Sequence, residues 1–146
     1  MSDIQIRKAM ATDADVVYQF VCELEDMVFD RVLFNKYYEE NISNNNYYYL
    51  IATDNEIPVG YLSCHGQLLL HHLNYVYEIQ ELFVSSEYRG KGIGKLLIAH
   101  LERQLVDKNY DMLEVASGFR RTESHAFYKA AGFTQSHYKF TKPGKR

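Results

Sequence analysis

Two hydrophobic periods alternate along this chain, one near 2 residues and one near 3.6, and their order lays out a fold. Ile4-Gln5-Ile6-Arg7 alternates as a first strand. Val16, Val17, Phe20, Val21 and Leu24 then recur at helical spacing behind Thr12 or Asp13, either of which can cap the helix. A second helical pattern covers residues 31–40. Residues 47–53 read as a strand, turned by Asp54-Asn55-Glu56 into another over 57–70, and a turn over 71–74 leads to a third over 75–84. This is an antiparallel meander. Ile93, Leu96, Leu97, Leu101 and Leu105 form a helical stripe, followed by a strand over 112–115, a helix over 123–131 and a closing strand over 133–141. The order predicts a mixed α/β sheet with helices on its faces. No repeat, linker or low-complexity tract interrupts it, so residues 1–146 are expected to form one domain.

Composition acts mainly by exclusion. A chain of 146 residues, 47% hydrophobic and 24% charged, has the balance of a soluble globular protein. No apolar run is long enough to span a bilayer, and the first residues lack the tripartite form of a signal peptide, so a cytoplasmic protein without a membrane partner is expected. Net charge is −3, and the basic residues are scattered outside a glycine-rich loop, Arg120-Arg121 and residues 139–146. That argues against nucleic acid as a partner, as does the lack of basic residues among the rings of Tyr47-Tyr48-Tyr49. Cys22 and Cys64 show no metal or redox spacing and are expected to be reduced thiols. His65, His71, His72 and His137 likewise lack metal-ligand spacing.

The chemistry concentrates where the 75–84 strand meets the next helix, at Arg89-Gly90-Lys91-Gly92-Ile93-Gly94-Lys95. Glycines let a ligand approach the backbone, and a helix starting there aims free N–H groups and a positive dipole end at an anion. A P-loop would need glycine where Arg89 stands and a hydroxyl where Leu96 stands. The dinucleotide fingerprint fails too, because the glycines fall at 90, 92 and 94. A loop that only turns a strand into a helix stays open at this point.

The surviving pattern, Arg-x-x-Gly-x-Gly from Arg89 to Gly94, resembles the acetyl-coenzyme A loop of the GNAT N-acetyltransferase superfamily. Arg7-Lys8-Ala9 with Asp13, Leu82-Phe83-Val84, and Ser124-His125-Ala126-Phe127-Tyr128-Lys129-Ala130-Ala131-Gly132-Phe133 extend the resemblance over nearly the whole chain. It implies a GNAT-like fold, an antiparallel meander joined to a splayed parallel strand pair with flanking helices, and acetyl-coenzyme A wedged between strands 78–84 and 112–115. It further implies that Arg89, Gly90, Lys91, Gly92, Ile93, Gly94 and Lys95 surround the pyrophosphate. Backbone groups of Leu82, Phe83 and Val84 would meet the acetyl and pantetheine arm, with Leu82 also facing the oxyanion.

Acetyl transfer needs a neutral amine, so a base must take its proton. Glu78 shares strand parity with Leu82 and Val84 and is expected on their face unless a β-bulge shifts the register; Glu81, of opposite parity, is the second candidate. The resemblance implies Glu78 as base and Tyr128 as the phenol that protonates or hydrogen-bonds the departing thiolate, the alternative for Tyr128 being a core tyrosine. Ala116-Ser117-Gly118-Phe119 departs from the family, which often carries an asparagine there.

A narrower resemblance, to the aminoalkylphosphonate N-acetyltransferases, rests on three stretches. These are Cys22-Glu23-Leu24 with Phe29-Asp30, Leu70-His71-His72-Leu73-Asn74 with Glu78-Ile79-Gln80-Glu81-Leu82, and Gln135-Ser136-His137-Tyr138-Lys139-Phe140-Thr141-Lys142. It implies a small primary amine bearing a phosphonate as substrate, and a divalent metal cation whose ligands the sequence leaves unknown. A phosphonate calls for cationic donors, and Arg120 and Arg121 are the first candidates, with His72 and Lys139 behind them. The competing reading makes Arg120-Arg121 a solvated pair touching the adenosine phosphate. A peptide-amine acetyltransferase, a non-catalytic acetyl-coenzyme A sensor and a homodimer all stay open.

Overall fold

The computed structural model describes residues 2–145; Met1 and Arg146, the two ends of the expected 1–146 unit, lie outside the described residues. Five strands form one sheet in the order β1-β2-β3-β4-β5: β1 Ile4–Lys8, β2 Tyr47–Asp54, β3 Ile57–Leu69, β4 Asn74–Val84 and β5 Met112–Val115. The first three pairings are antiparallel and β4–β5 is parallel, as a meander followed by one helical crossover requires. Helices α1 (Ala14–Glu25) and α2 (Arg31–Ile42) precede β2, α3 (Ile93–Leu105) is the crossover, and α4 (Thr122–Ala130) follows β5.

Alternation along the strands gives the sheet two apolar faces, and each is covered. Leu50, Leu62, Tyr77 and Ile79 pack under α3 through Ile93, Leu97, Leu101 and Leu105, with Phe127 and Tyr128 of α4 at the margin. Ile51, Tyr61 and Phe83 pack on the other face against Val17, Phe20 and Val21 of α1 and Tyr38 of α2. Full burial of such side chains stabilises by about 1.5–3 kcal/mol each, so the two layers fix which way every strand residue points. The α3 stripe is offset from the expected one: Leu96 is largely exposed and Ile98 is buried in its stead.

One further detail differs from the sequence reading. Asp13 stands at the N-cap of α1 but makes no cap bond; its carboxylate accepts two hydrogen bonds from the Arg7 guanidinium, each 2.8 Å, and one from the Met10 N–H at 2.7 Å. The guanidinium holds this carboxyl below its ordinary range. Asp30 caps α2 conventionally, accepting from the Leu33 N–H at 2.9 Å.

The closing strand expected over 133–141 does not form. Phe133 packs against Tyr128, and beyond it no described residue belongs to a strand, with Tyr138 and Phe140 88% and 92% exposed. Alternation alone makes no strand, because a ladder needs a second edge to bond.

Gly66 allows β3 to pass over the Tyr77 ring: a Cβ there would stand 2.8 Å from Tyr77 Cδ1 and 3.0 Å from the Asn46 carbonyl. Gly66→Ala should therefore lower stability by about 1–3 kcal/mol, read as a fall in the urea midpoint at unchanged slope.

Candidate functional site

The sheet opens at one place. β4 and β5 pair from Val76↔Met112 to Ile79↔Val115, after which β5 ends while β4 runs on to Val84. Among the described residues the β5-facing edge of residues 80–84 has no strand partner, so its backbone donors and acceptors line the cleft left where β5 ends.

Gln80 determines which side chains face that cleft. Ser63 pairs with Glu81 and Cys64 with Ile79, so Gln80 is the extra residue of a β-bulge. Past it the parity of β4 inverts. Glu78 pairs with His65, Glu81 with Ser63 and Phe83 with Tyr61, all on the α1–α2 face. The expected grouping of Glu78 with Leu82 and Val84 is thus corrected: those two pack toward α3 on the opposite face, and the bulge unites the two rival carboxylates.

The parallel register also sets Glu114 of β5 opposite Glu78, so three carboxylates and an imidazole share one face around the mouth of the cleft. The sequence reading weighed His65 only as a metal ligand and did not name Glu114; the strand registers bring both to this face. Tyr61 and Ser63 hydroxyls donate to one Glu81 oxygen at 2.8 and 2.6 Å, which fixes that carboxylate, whereas among the described residues Glu78 receives only the Gln80 amide at 3.2 Å. His65 stacks on Tyr47 with centroids 3.6 Å apart and meets the Tyr49 hydroxyl at 2.7 Å through Nε2. Burial holds this imidazole below its ordinary value, with Glu81 and Glu78 partly offsetting it. Burial likewise raises the Tyr49 and Tyr61 phenols, keeping them protonated.

The glycine loop stands at the C-terminal end of β4. Gly90 and Gly92 have φ of 76° and 83°, in the left-handed region that favours glycine, and a Cβ at either would meet nothing within 4 Å. Gly92 is the N-cap of α3, whose first N–H groups therefore point out of an open, Cβ-free rim. Gly94 serves packing instead, since a Cβ there would lie 2.9 Å from Phe127 Cζ. Ile93 is buried, leaving its backbone to act at this rim. Lys91 lies 5.2 Å from the centre of the Tyr88 ring, Lys95 is exposed on the first turn, and Arg89 donates through Nε to the Val84 carbonyl at 3.0 Å. Val84 thus offers a ligand less than expected, and Phe83, buried against Phe20, offers only backbone.

On the far wall, the Ser117 hydroxyl just past β5 is buried and lacks a hydrogen-bond partner among the described residues. Tyr128 packs between Phe127 and Phe133; burial raises its phenol and Arg121 opposes the rise. Its hydroxyl has no hydrogen-bond partner among the described residues. Arg121 Nη2 reaches the Leu24 carbonyl at the end of α1 at 3.5 Å, spanning from the β5 side to the α1 side, while Arg120 lies over Phe119. His72 does not join them. It sits before β4, at the end opposite the glycine loop, with Nδ1 2.5 Å from the Asp111 carboxylate. Lys139 lies on the exposed chain beyond Phe133. Among the described residues no three His, Cys, Asp or Glu side chains come together as metal ligands, so the donor set for a divalent cation is not assembled.

The model of the acetyltransferase (GNAT) family matches residues 14–133. The aminoalkylphosphonate N-acetyltransferase of Salmonella typhimurium is 36% identical over 94% of this chain and 90% of its own length. Among solved structures, a transcriptional regulator from Bacillus halodurans C-125 superposes with a TM-score of 0.89 at 19% identity, covering 97% of this chain and all of that one. An aminoglycoside N-acetyltransferase, AAC(6')-Iy in complex with CoA, gives 0.88 at 17% identity over all of this chain and 97% of its own. These two likenesses concern the fold alone.

Proposed function

The chain belongs to the acetyltransferase (GNAT) family, and from that premise we propose that it moves the acetyl group of acetyl-coenzyme A onto a small primary amine bearing a phosphonate. The observation that carries the reading is the cleft past Ile79, open between β4 and β5 and ending at the Cβ-free rim of α3. A pyrophosphate fits that rim, where N–H groups of the first α3 turn, Lys91 and Lys95 supply positive charge. The arm then runs along the unpaired edge of β4, and the orphan Ser117 hydroxyl, in the stretch where relatives often keep an asparagine, is a polar partner for it.

At the inner end, the amine nitrogen attacks the thioester carbon from the α1–α2 face. Glu78 accepts the amine proton, directly or through water, and the Leu82 N–H steadies the oxyanion. As the C–S bond breaks, the sulfur leaves as thiolate and takes a proton from Tyr128, whose buried phenol keeps that proton at neutral pH. Glu81, anchored by Tyr61 and Ser63, and Glu114 add negative charge that draws in a cationic amine.

The same negative face would repel a phosphonate, so the acceptor's anionic end needs a separate cation. Arg121 stands across the mouth and suits that part, with Arg120 beside it. This span also favours a small acceptor over a peptide, which would require an open groove. Cys22 and Cys64 are free thiols, in keeping with a reducing, cytoplasmic setting, and no helix among the described residues is long and apolar enough to cross a membrane.

Three measurements test the reading. Gly92→Val forces a β-branched residue to positive φ, so it should weaken acetyl-coenzyme A binding at least tenfold by calorimetry; unchanged affinity in a folded variant would remove the coenzyme site. Glu78→Gln should lower turnover about 10²-fold or more at unaltered coenzyme affinity. Full turnover there, with loss in Glu81→Gln, would transfer the role of base to Glu81. Finally, kcat/KM for 2-aminoethylphosphonate should exceed that for its carboxylate analogue and a neutral amine of similar size, and Arg121→Ala should erase the preference. Equal use of all three amines would leave a general small-amine acetyltransferase.

A further inference from the structure

One row of side chains crosses the α1–α2 face of the sheet. Tyr47 of β2 pairs with His65 of β3, His65 with Glu78 of β4, and Glu78 with Glu114 of β5. The imidazole in this row is clamped twice. Its ring lies flat on Tyr47, with 5° between the planes, and its Nε2 stands 2.7 Å from the Tyr49 hydroxyl.

That hydroxyl decides which ring nitrogen carries hydrogen. Tyr49 has a single hydroxyl hydrogen, its oxygen accepts the Asn41 amide at 2.9 Å, and its other partner among the described residues is His65 Nε2. The hydrogen therefore goes to Nε2. Burial keeps the imidazole neutral, so with Nε2 accepting, the ring's own hydrogen sits on Nδ1. Nδ1 has no hydrogen-bond partner among the described residues. His65 is thus a donor toward this face, and with its one lone pair engaged by Tyr49 it cannot take a proton from an amine. Glu78 lacks such a donor: Glu81 is anchored by Tyr61 and Ser63, whereas among the described residues Glu78 receives only the Gln80 amide. Directly opposed antiparallel residues hold their Cβ atoms about 4.5–5.5 Å apart, so Nδ1 reaches the Glu78 carboxylate directly or through one water.

We infer that His65 is the positioning residue of the base: with its tautomer set by Tyr49 and Asn41, it donates Nδ1–H to Glu78 and aims that carboxylate at the amine. It moves no proton itself, since the amine proton passes to Glu78 alone. The inference rests on Glu78 acting as base, and a double-mutant cycle separates the two.

Nitrogen-15 NMR of the wild-type imidazole should show hydrogen on Nδ1 and none on Nε2, and Tyr49→Phe, which keeps the ring and removes the hydroxyl, should admit hydrogen at Nε2. An Nε2-protonated imidazole in the wild-type protein would overturn the inference. His65→Leu should lower kcat about tenfold, the size of one lost hydrogen bond to a charged group, at unaltered acetyl-coenzyme A affinity. His65→Asn, whose amide nitrogen can stand where Nδ1 stood, should recover most of that loss. Tyr49→Phe should slow kcat in the same direction, which keeps the test open if the leucine variant does not fold. In a Glu78→Gln protein either change should alter kcat by less than about twofold, because the donor then has no base to aim. If Glu78→Gln alone keeps full turnover, the reading of Glu78 as base falls and this inference with it. If Glu78→Gln slows the enzyme while His65→Leu leaves kcat untouched, or adds its full loss on top, Glu78 stays the base and the part given to His65 is overturned.

Discussion

One added residue in a strand governs the shape of this site. At Gln80 the pairing of β4 with β3 slips by one, so that everything beyond it on β4 faces the sheet side opposite to the one simple alternation dictates. Glu78 and Glu81, three positions apart, come to share a face, while Leu82 and Val84 stay with the α3 core. A bulge also bends and twists its strand, and β4 parts from β5 immediately beyond this point. The same slip thus gathers the carboxylates beside the point where that pairing ends.

An opening in the middle of a sheet exposes backbone groups, and the surrounding structure has to support that cost. Here each face has its own packed layer, α3 with α4 on one side and α1 with α2 on the other, so the strands bordering the gap are held without help from each other. The tyrosines take part in this. Tyr49 and Tyr61 bury their rings in the α1–α2 layer and send their hydroxyls to His65 and Glu81, so apolar packing and polar orientation come from the same side chains. Arg7 and Asp13 pin the entry to α1 in the same way, trading a helix cap for a paired anchor.

Charge is arranged along a short path. Positive donors collect at the rim of α3, negative groups at the inner mouth, and Arg121 stands across from them near the end of α1. Cationic and anionic groups thus occupy separate places along that path, as the proposed reaction requires.

Much of this was written in local pattern. The helices, the meander and the strand of residues 112–115 followed from periodicity, and the Cβ-free rim before α3 from its glycines, of which 90 and 92 have positive φ. Residues 133–141 misled because alternation reports what a segment can pair with, whereas a strand exists only where the segment docks on an edge. His72, a weaker candidate for the phosphonate, stands before β4 and pairs with Asp111, at the end of the strand away from the glycine loop. Glu114 and His65 could be placed beside Glu78 only once the registers were known, since they belong to other strands. The sequence by itself determined the elements as far as α4, their order and the rim of α3, because these rest on contacts between near neighbours. The tertiary structure alone decided which carboxylates face the cleft, for that depends on one unpaired residue at Gln80, and no local periodicity records a slip between strands.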